Sequence, residues 1–188
     1  MLDFGNARLW CRGLLNEQLR PGALAVDATM GNGHDTLFLA QLVGPLGHVW
    51  AFDVQECALT NTLARLEAEK VQDRVTLFLD SHARMAEHVP QAVDAVVFNL
   101  GWLPGQEHAV TTRAETTVEA LNAAHSLLKP GGLITICVYP GHPEGMRELE
   151  AVTDWCRGLS DRQYDAVSRG YENISARPPR LFAIVKKQ

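Results

Sequence analysis

The run Asp27-Ala28-Thr29-Met30-Gly31-Asn32-Gly33-His34-Asp35 gathers carboxylates, a hydroxyl, an amide and two glycines in one short segment. Gly31 and Gly33 allow the backbone to turn tightly and to approach a ligand closely. Asp53 ends the next apolar run, 20 positions after Gly33. A carboxylate at that spacing can accept hydrogen bonds from both hydroxyls of a ribose. Asp80, with Ser81 and His82, ends a third apolar run and can accept from an adenine amino group. Together these residues point to an adenosine-containing ligand. The plainer alternative is a strand-to-helix turn capped by Asp35, with Asp80 capping the segment after it.

The letters that are missing narrow the ligand. A pyrophosphate dinucleotide calls for Gly-x-Gly-x-x-Gly, but the third glycine position is Thr36, followed by the bulky Leu37. No Gly-x-x-x-x-Gly-Lys-Ser/Thr run is present for a triphosphate. Asp27 repels phosphate and attracts a cationic, methionine-type amine. S-adenosylmethionine is therefore the predicted cofactor, met by Asp27, Thr29, Gly31, Asn32, Gly33, Asp53, Asp80, Ser81 and His82.

Such a rim needs strands that end together. Leu24–Ala28, Val49–Asp53, Val75–Leu79, Ala92–Asn99, Leu133–Tyr139 and Leu181–Val185 are short, apolar and bounded by turn formers, which predicts strands. Asp35–Val43, Glu56–Lys70, Arg113–Leu128 and Pro143–Leu159 carry apolar residues at helical spacing, and Ala7–Leu19 adds a helix before the first strand. Strand and helix alternate, which predicts an α/β fold with a mostly parallel sheet and helices on both faces. The breaks Pro21-Gly22, Gly44–Gly47 and Lys129–Gly132 read as turns inside one domain spanning 1–188, with 1–20 as an N-terminal capping helix.

Composition agrees with one ordinary domain: 188 residues, 46% hydrophobic, 21% charged. The net charge of -5 argues against coating nucleic acid by bulk attraction, so any such partner is met locally. Residues 151–188 hold seven basic and four acidic side chains, +3, leaving -8 for the first 150 residues. Cys11, Cys57, Cys137 and Cys156 show no metal-like or paired spacing and read as buried small hydrophobes in a reducing compartment. No metal is predicted. The first ten residues lack a signal-peptide pattern and no apolar run is long enough to span a bilayer, so the expected location is cytoplasmic.

Asp27-x-Thr29-x-Gly31-x-Gly33 resembles the first motif of class I S-adenosylmethionine-dependent methyltransferases, with Thr29 in place of the usual first glycine. Asp27–Ala40, Ala51-Phe-Asp-Val-Gln55, Asn99-Leu-Gly-Trp-Leu-Pro104 and Tyr139-Pro-Gly-His-Pro-Glu-Gly145 together resemble a narrower bacterial group labelled rRNA methylase. Its characterised members are tRNA 5-aminomethyluridine methyltransferases acting on the wobble base. Met30 stands where that group often has cysteine, and Trp102 where it often has tyrosine. The resemblance implies a Rossmann-like class I methyltransferase fold with a seven-stranded sheet. It adds Gln55 and Asn99 to the cofactor residues.

The same resemblance assigns a reacting end. Methyl transfer from a sulfonium is an in-line displacement, so the protein chiefly holds a nucleophile in place and excludes water. Asn99 is implied to hold an amine, and Trp102, Pro104 and Tyr139 to line the substrate side, with Trp102 stacking on a flipped pyrimidine; the plainer alternatives are Asn99 as a turn cap, Trp102 as a core anchor and Gly101 and Pro104 as loop formers. His142 can hold or deprotonate an ammonium, or it can simply cap the next helix. Thr111 and Thr112 read as helix caps. The implied partner is a tRNA anticodon loop, and a homodimer would widen its contact surface; by charge alone, Arg157, Arg162, Arg169, Arg177, Arg180, Lys186 and Lys187 are either phosphate-contact candidates or an ordinary solvated basic face. Open alternatives are methylation of another RNA or of a small-molecule amine, a nicotinamide-dependent oxidoreductase, and a non-catalytic adenosine-ligand sensor.

Overall fold

A computed structural model of the chain describes residues 5–102, 111–174 and 176–188. Short branched and aromatic runs form the strands β1 (Leu24–Asp27), β2 (His48–Asp53), β3 (Val75–Leu79), β4 (Val93–Leu100), β5 (Leu128–Val138), β6 (Tyr164–Arg169) and β7 (Arg180–Lys186). Between them lie α1 (Ala7–Gln18), α2 (His34–Val43), α3 (Glu56–Ala68), the single turn α4 (Met85–His88), α5 (Ala114–Leu127) and α6 (Pro143–Arg157).

Local chemistry sets the helix starts. The Asn6 side chain accepts from the Leu9 N–H at 3.0 Å, which satisfies one of the orphan amides of α1. Pro143 stands in the first turn of α6, where its missing N–H costs nothing. In α1 the buried residues Ala7, Cys11 and Leu15 recur every fourth position and make one stripe.

The seven strands are ordered β3-β2-β1-β4-β5-β7-β6, with parallel pairing from β3 through β5 and antiparallel pairing of β7 to both its neighbours. Alternation along the central strands sorts the core into two layers. Val26, Phe52, Val96, Phe98, Ile134 and Ile136 pack with Met85, Leu121 and Val152 from α4, α5 and α6. Ala25, Val49, Ala95, Val97 and Leu133 pack with Leu15, Leu39 and Leu66 from α1, α2 and α3. Helices cover both faces, as expected. Because β2 and β4 flank β1, the chain order reverses between β1 and β4, and a crevice opens beyond their carboxyl ends.

Three differences from the sequence reading have simple causes. The six runs read as strands omit β6, because only Tyr164 of that strand is buried and an exposed edge needs no apolar alternation. Lys129–Gly132 lies within β5, where the pairing register with β4 shifts and Gly131 takes φ +79°. Of the cysteines, only Cys11 and Cys137 are fully buried. Among the described residues no helix is long and apolar enough to cross a membrane.

Candidate active site

A cavity of about 600 Å³ lies beyond the carboxyl ends of β1, β2 and β4, within the usual range for a site that takes a nucleoside-sized molecule. Thr29, Met30, Gly31 and Asn32 line one side, Asp53, Val54 and Gln55 a second, and Asp80, Ser81 and His82 a third. Asn99, Gly101 and Trp102 close it from β4, with Tyr139 from the end of β5. Residues called from distant parts of the sequence thus meet around one space. Pro104 lies outside the described residues.

The loop after β1 is held by Asp53. Its Oδ2 accepts from the Gly31 N–H at 3.0 Å and its Oδ1 from the Gln55 N–H at 3.0 Å. The Gln55 side chain and the Val54 N–H also bond to this carboxylate. Burial raises the Asp53 carboxyl above its ordinary value, and the same backbone amides oppose the rise. Gly33 takes φ +75°, and a Cβ there would stand 2.8 Å from the Thr62 Cα. Only glycine fits that crossing of loop and α3.

Asp27 is the main relocation. The sequence reading sets it against a cationic ligand, but it is 0% exposed and does not line the cavity. Its carboxylate accepts from the Thr29 N–H at 3.1 Å and from Thr36 Oγ1 at 2.7 Å, beneath the loop. Gly33 does not line the cavity either. Burial, with the nearby Asp35 charge adding to it, raises the Asp27 carboxyl from 3.8 to about 7, while Thr36 and Thr29 oppose the rise.

That shift predicts a pH-dependent stability. The folded chain keeps the Asp27 proton to higher pH than the unfolded one, so stability falls as pH rises from about 4 to about 7 and levels off above. The loss amounts to at most about 4 kcal/mol. Asp27→Asn should remove that slope in denaturant titrations run across this range. His82, pushed down to about 4 by burial, contributes the opposite slope in both proteins and cancels from the comparison.

At the far side, Asp80 accepts from the Ser81 N–H at 2.8 Å, pairs with His88 at 2.8 Å and with Arg84 at 3.0 Å. The His88 contact, more than any other, holds its carboxyl below the usual range. Ser81, not Asp80, caps the turn that follows, accepting from the Ala83 N–H at 3.2 Å. His82 bonds the Ala28 carbonyl at 3.2 Å and is held neutral by burial.

Asp35, read as a helix cap, does something else. Gly33 occupies the cap position of α2. The Asp35 side chain accepts from Arg12 Nη2 at 2.7 Å, from Arg8 Nη2 at 3.2 Å and from Asn99 Nδ2 at 3.0 Å. Arg8 and Asp35 both line the cavity, as does Arg113 from the start of α5. Neither arginine carried any sequence signal, since each reaches the cavity only through tertiary packing.

The family model described as "Putative rRNA methylase" matches residues 49–185. The chain belongs to this family. The chloroplastic tRNA (mnm(5)s(2)U34)-methyltransferase of Arabidopsis thaliana is 42% identical over 151 residues, 75% of this chain and 55% of that protein, so the chain spans about half the length of this curated relative. A crystal structure described as a "putative rRNA-methylase" from Clostridium thermocellum superposes with a TM-score of 0.96 at 39% identity, covering 98% of this chain and all of that one. A Streptococcus mutans protein described as a "putative methyltransferase", solved in complex with SAH, gives 0.89 at 33% identity, with 99% of each chain covered.

In this rRNA methylase family member, the segment carrying Trp102 is pinned at its neck. Gly101 N–H donates to Thr112 Oγ1 at 2.8 Å and Thr112 N–H to the Gly101 carbonyl at 3.0 Å, while Trp102 pairs with Thr111. Thr112 Oγ1 donates to Glu148 of α6 at 3.0 Å, and Thr117 Oγ1 donates to the same fully buried carboxylate at 2.8 Å. Thr111 and Thr112 are therefore not caps; α5 begins after Arg113. Glu148→Ala should cost about 2–4 kcal/mol in urea unfolding, because it empties a packed site, strands the buried Thr117 hydroxyl and leaves the half-buried Thr112 hydroxyl without its acceptor. Glu148→Gln, which keeps the volume, should cost about 1 kcal/mol.

His142 takes the position that the helix-cap reading gives it. It caps α6, with Nδ1 accepting from the Gly145 N–H at 3.1 Å, and its ring meets Trp102 edge-on at 4.5 Å without lining the cavity. It supports Trp102 instead. The basic candidates divide between the two ends of the sheet. Arg180 pairs with Val138 and Arg169 with Leu181, at the cavity end. Lys186 pairs with Tyr164, at the opposite end, and Lys187 N–H reaches the Gln163 carbonyl beside it. Arg157 ends α6 and Arg162 lies on the connection from there into β6 at that same far end, which removes all four from the cavity rim. Neither Arg177 nor Arg180 lines the cavity, and Arg180 pairs with Glu172 at 3.3 Å.

Proposed function

We propose that this chain transfers a methyl group from S-adenosylmethionine to the exocyclic amine of 5-aminomethyluridine, or its 2-thio form, at the wobble position of a tRNA anticodon loop. The observation that carries this reading is the meeting, in one cavity, of the Asp53-held glycine loop with Asn99 and Trp102 at the end of β4. The named activity of the Arabidopsis relative supports the choice of base.

The residues present fit the cofactor. Asp53 lines the cavity with a carboxylate that can accept from ribose hydroxyls, and Phe52 and Ala28 add apolar wall beside the Asp80–His82 edge. Arg8 supplies a cation for an amino-acid carboxylate. When bound, S-adenosylmethionine offers an electrophilic carbon: the neutral amine bonds to it, the carbon–sulfur pair leaves on sulfur, and the methylated ammonium then sheds a proton to water.

The chain's own part is placement. Asn99 Oδ1 accepts from the amine N–H and so turns its lone pair toward the cavity, while the Trp102 ring, braced by His142, offers a face for the base. Arg169, Arg177 and Arg180, with Arg113 on the cavity wall, are the cations at the correct end of the sheet for phosphates of the loop.

The direct test incubates the protein with labelled S-adenosylmethionine and tRNA from cells lacking wobble methylation. Label on 5-aminomethyluridine supports the reading, whereas label elsewhere or none defeats it. Arg177→Glu with Arg180→Glu should weaken tRNA binding and flatten its salt dependence by about 1 to 2 phosphate contacts, while Lys186→Glu with Lys187→Glu should leave both unchanged. Equal effects from the two pairs would refute the rim assignment.

A further inference from the structure

Asn99 presents a choice that its shape alone does not make. The two ends of a side-chain amide have almost the same size, but one accepts and the other donates. The Asn99 backbone is fixed by donation from its N–H to Thr29 Oγ1 at 2.7 Å. Its Nδ2 then lies 3.0 Å from Asp35 Oδ2. Asp35 Oδ1 is taken by Arg12, through Nη2 at 2.7 Å and Nε at 3.0 Å, and by Arg8 at 3.2 Å. A carboxylate between two guanidinium groups can only accept, so the amide end facing it must be the NH2. Asn99 Oδ1 is left to the cavity, and no described residue donates to it.

We infer that Asp35 is a positioning residue that fixes the polarity of the Asn99 amide and thereby makes the reacting end of the cavity selective for a ligand group that donates hydrogen bonds, an amine or ammonium. Arg8 and Arg12 hold Asp35 in the orientation that does this. The inference rests on the cofactor assignment of the proposed function, but not on its RNA substrate. It also explains why an aspartate in the first turn of α2, available as a cap, spends its side chain across the sheet on β4.

The test compares two ligands that differ only at the reacting position. Sinefungin carries C–NH3⁺ where S-adenosylmethionine carries S⁺–CH3, and S-adenosylhomocysteine carries a bare thioether. The readout is the ratio of their dissociation constants by calorimetry. The wild type should prefer sinefungin. Asp35→Asn, whose oxygen still accepts from the arginines while its NH2 faces Asn99 and so turns the Asn99 NH2 toward the cavity, should lower that preference about tenfold, the scale of one lost charge-assisted hydrogen bond. Asn99→Leu, which removes the acceptor oxygen at nearly constant size, should also lower it.

Exchanging the pair, Asp35→Asn with Asn99→Asp, should restore the preference to within about threefold of wild type, because Asn at 35 donates to Asp at 99 while still accepting from Arg12. A wild type without preference, equal weakening of both ligands by Asp35→Asn, or an exchanged pair no better than Asp35→Asn alone would each overturn the inference. Failure to methylate tRNA would sink the substrate reading and leave this comparison standing, since neither ligand needs RNA to bind.

Discussion

Asp53→Ala weakens cofactor binding by about 10- to 150-fold, the expected result of removing charge-assisted hydrogen bonds worth about 1.5–3 kcal/mol. The carboxylate also holds the Gly31 and Gln55 amides, each at 3.0 Å, so its loss frees the loop on one wall and the strand end on another. The effect should therefore fall toward the upper end of that range. Asp53→Asn separates the two parts. It keeps one acceptor oxygen and much of the loop geometry, so it should lose less than the alanine variant. Calorimetric titration with S-adenosylhomocysteine checks both, and wild-type affinity in Asp53→Ala would put the ribose elsewhere.

Asn99→Ala is expected to act on turnover instead. Its side chain meets Asp35 and the reacting end of the cavity, whereas the loop contacts of Asp53 are untouched by its removal. Cofactor affinity should change by less than about threefold, while kcat for methyl transfer falls about 100-fold, the usual cost of losing the group that orients a reactant. Single-turnover kinetics with saturating tRNA measure this directly. A variant that binds cofactor weakly but turns over normally would move Asn99 from the reacting end to the cofactor side.

These two residues also show what could be read along the chain. Asp53 was legible because it ends a strand at a set distance from a glycine loop, and parallel strands in an α/β sheet end on one rim. Asn99 was legible for the same reason at the end of β4. Asp35 was visible in the loop motif, but its partners were not: it lies 64 residues from Asn99 and 23 and 27 from its two arginines, distances over which spacing carries no information. Glu148 was invisible as well, since a carboxylate within an amphipathic helix pattern reads as solvent-facing. His142 had two readings that the sequence weighted equally, and the Gly145 N–H at its Nδ1 decides for the cap.

By itself the sequence determined six of the seven strands, the helices between them and the mostly parallel sheet, because hydrophobic period and turn chemistry are local and survive in one dimension. Tertiary structure alone decided that Asp27 lies beneath the loop and not in the cavity, that four of seven basic candidates sit at the far end of the sheet, and that Asp35 orients Asn99. Burial, strand register and side-chain pairing depend on which distant segments are brought together, and charge or spacing along a chain does not encode the direction in which a side chain finally points.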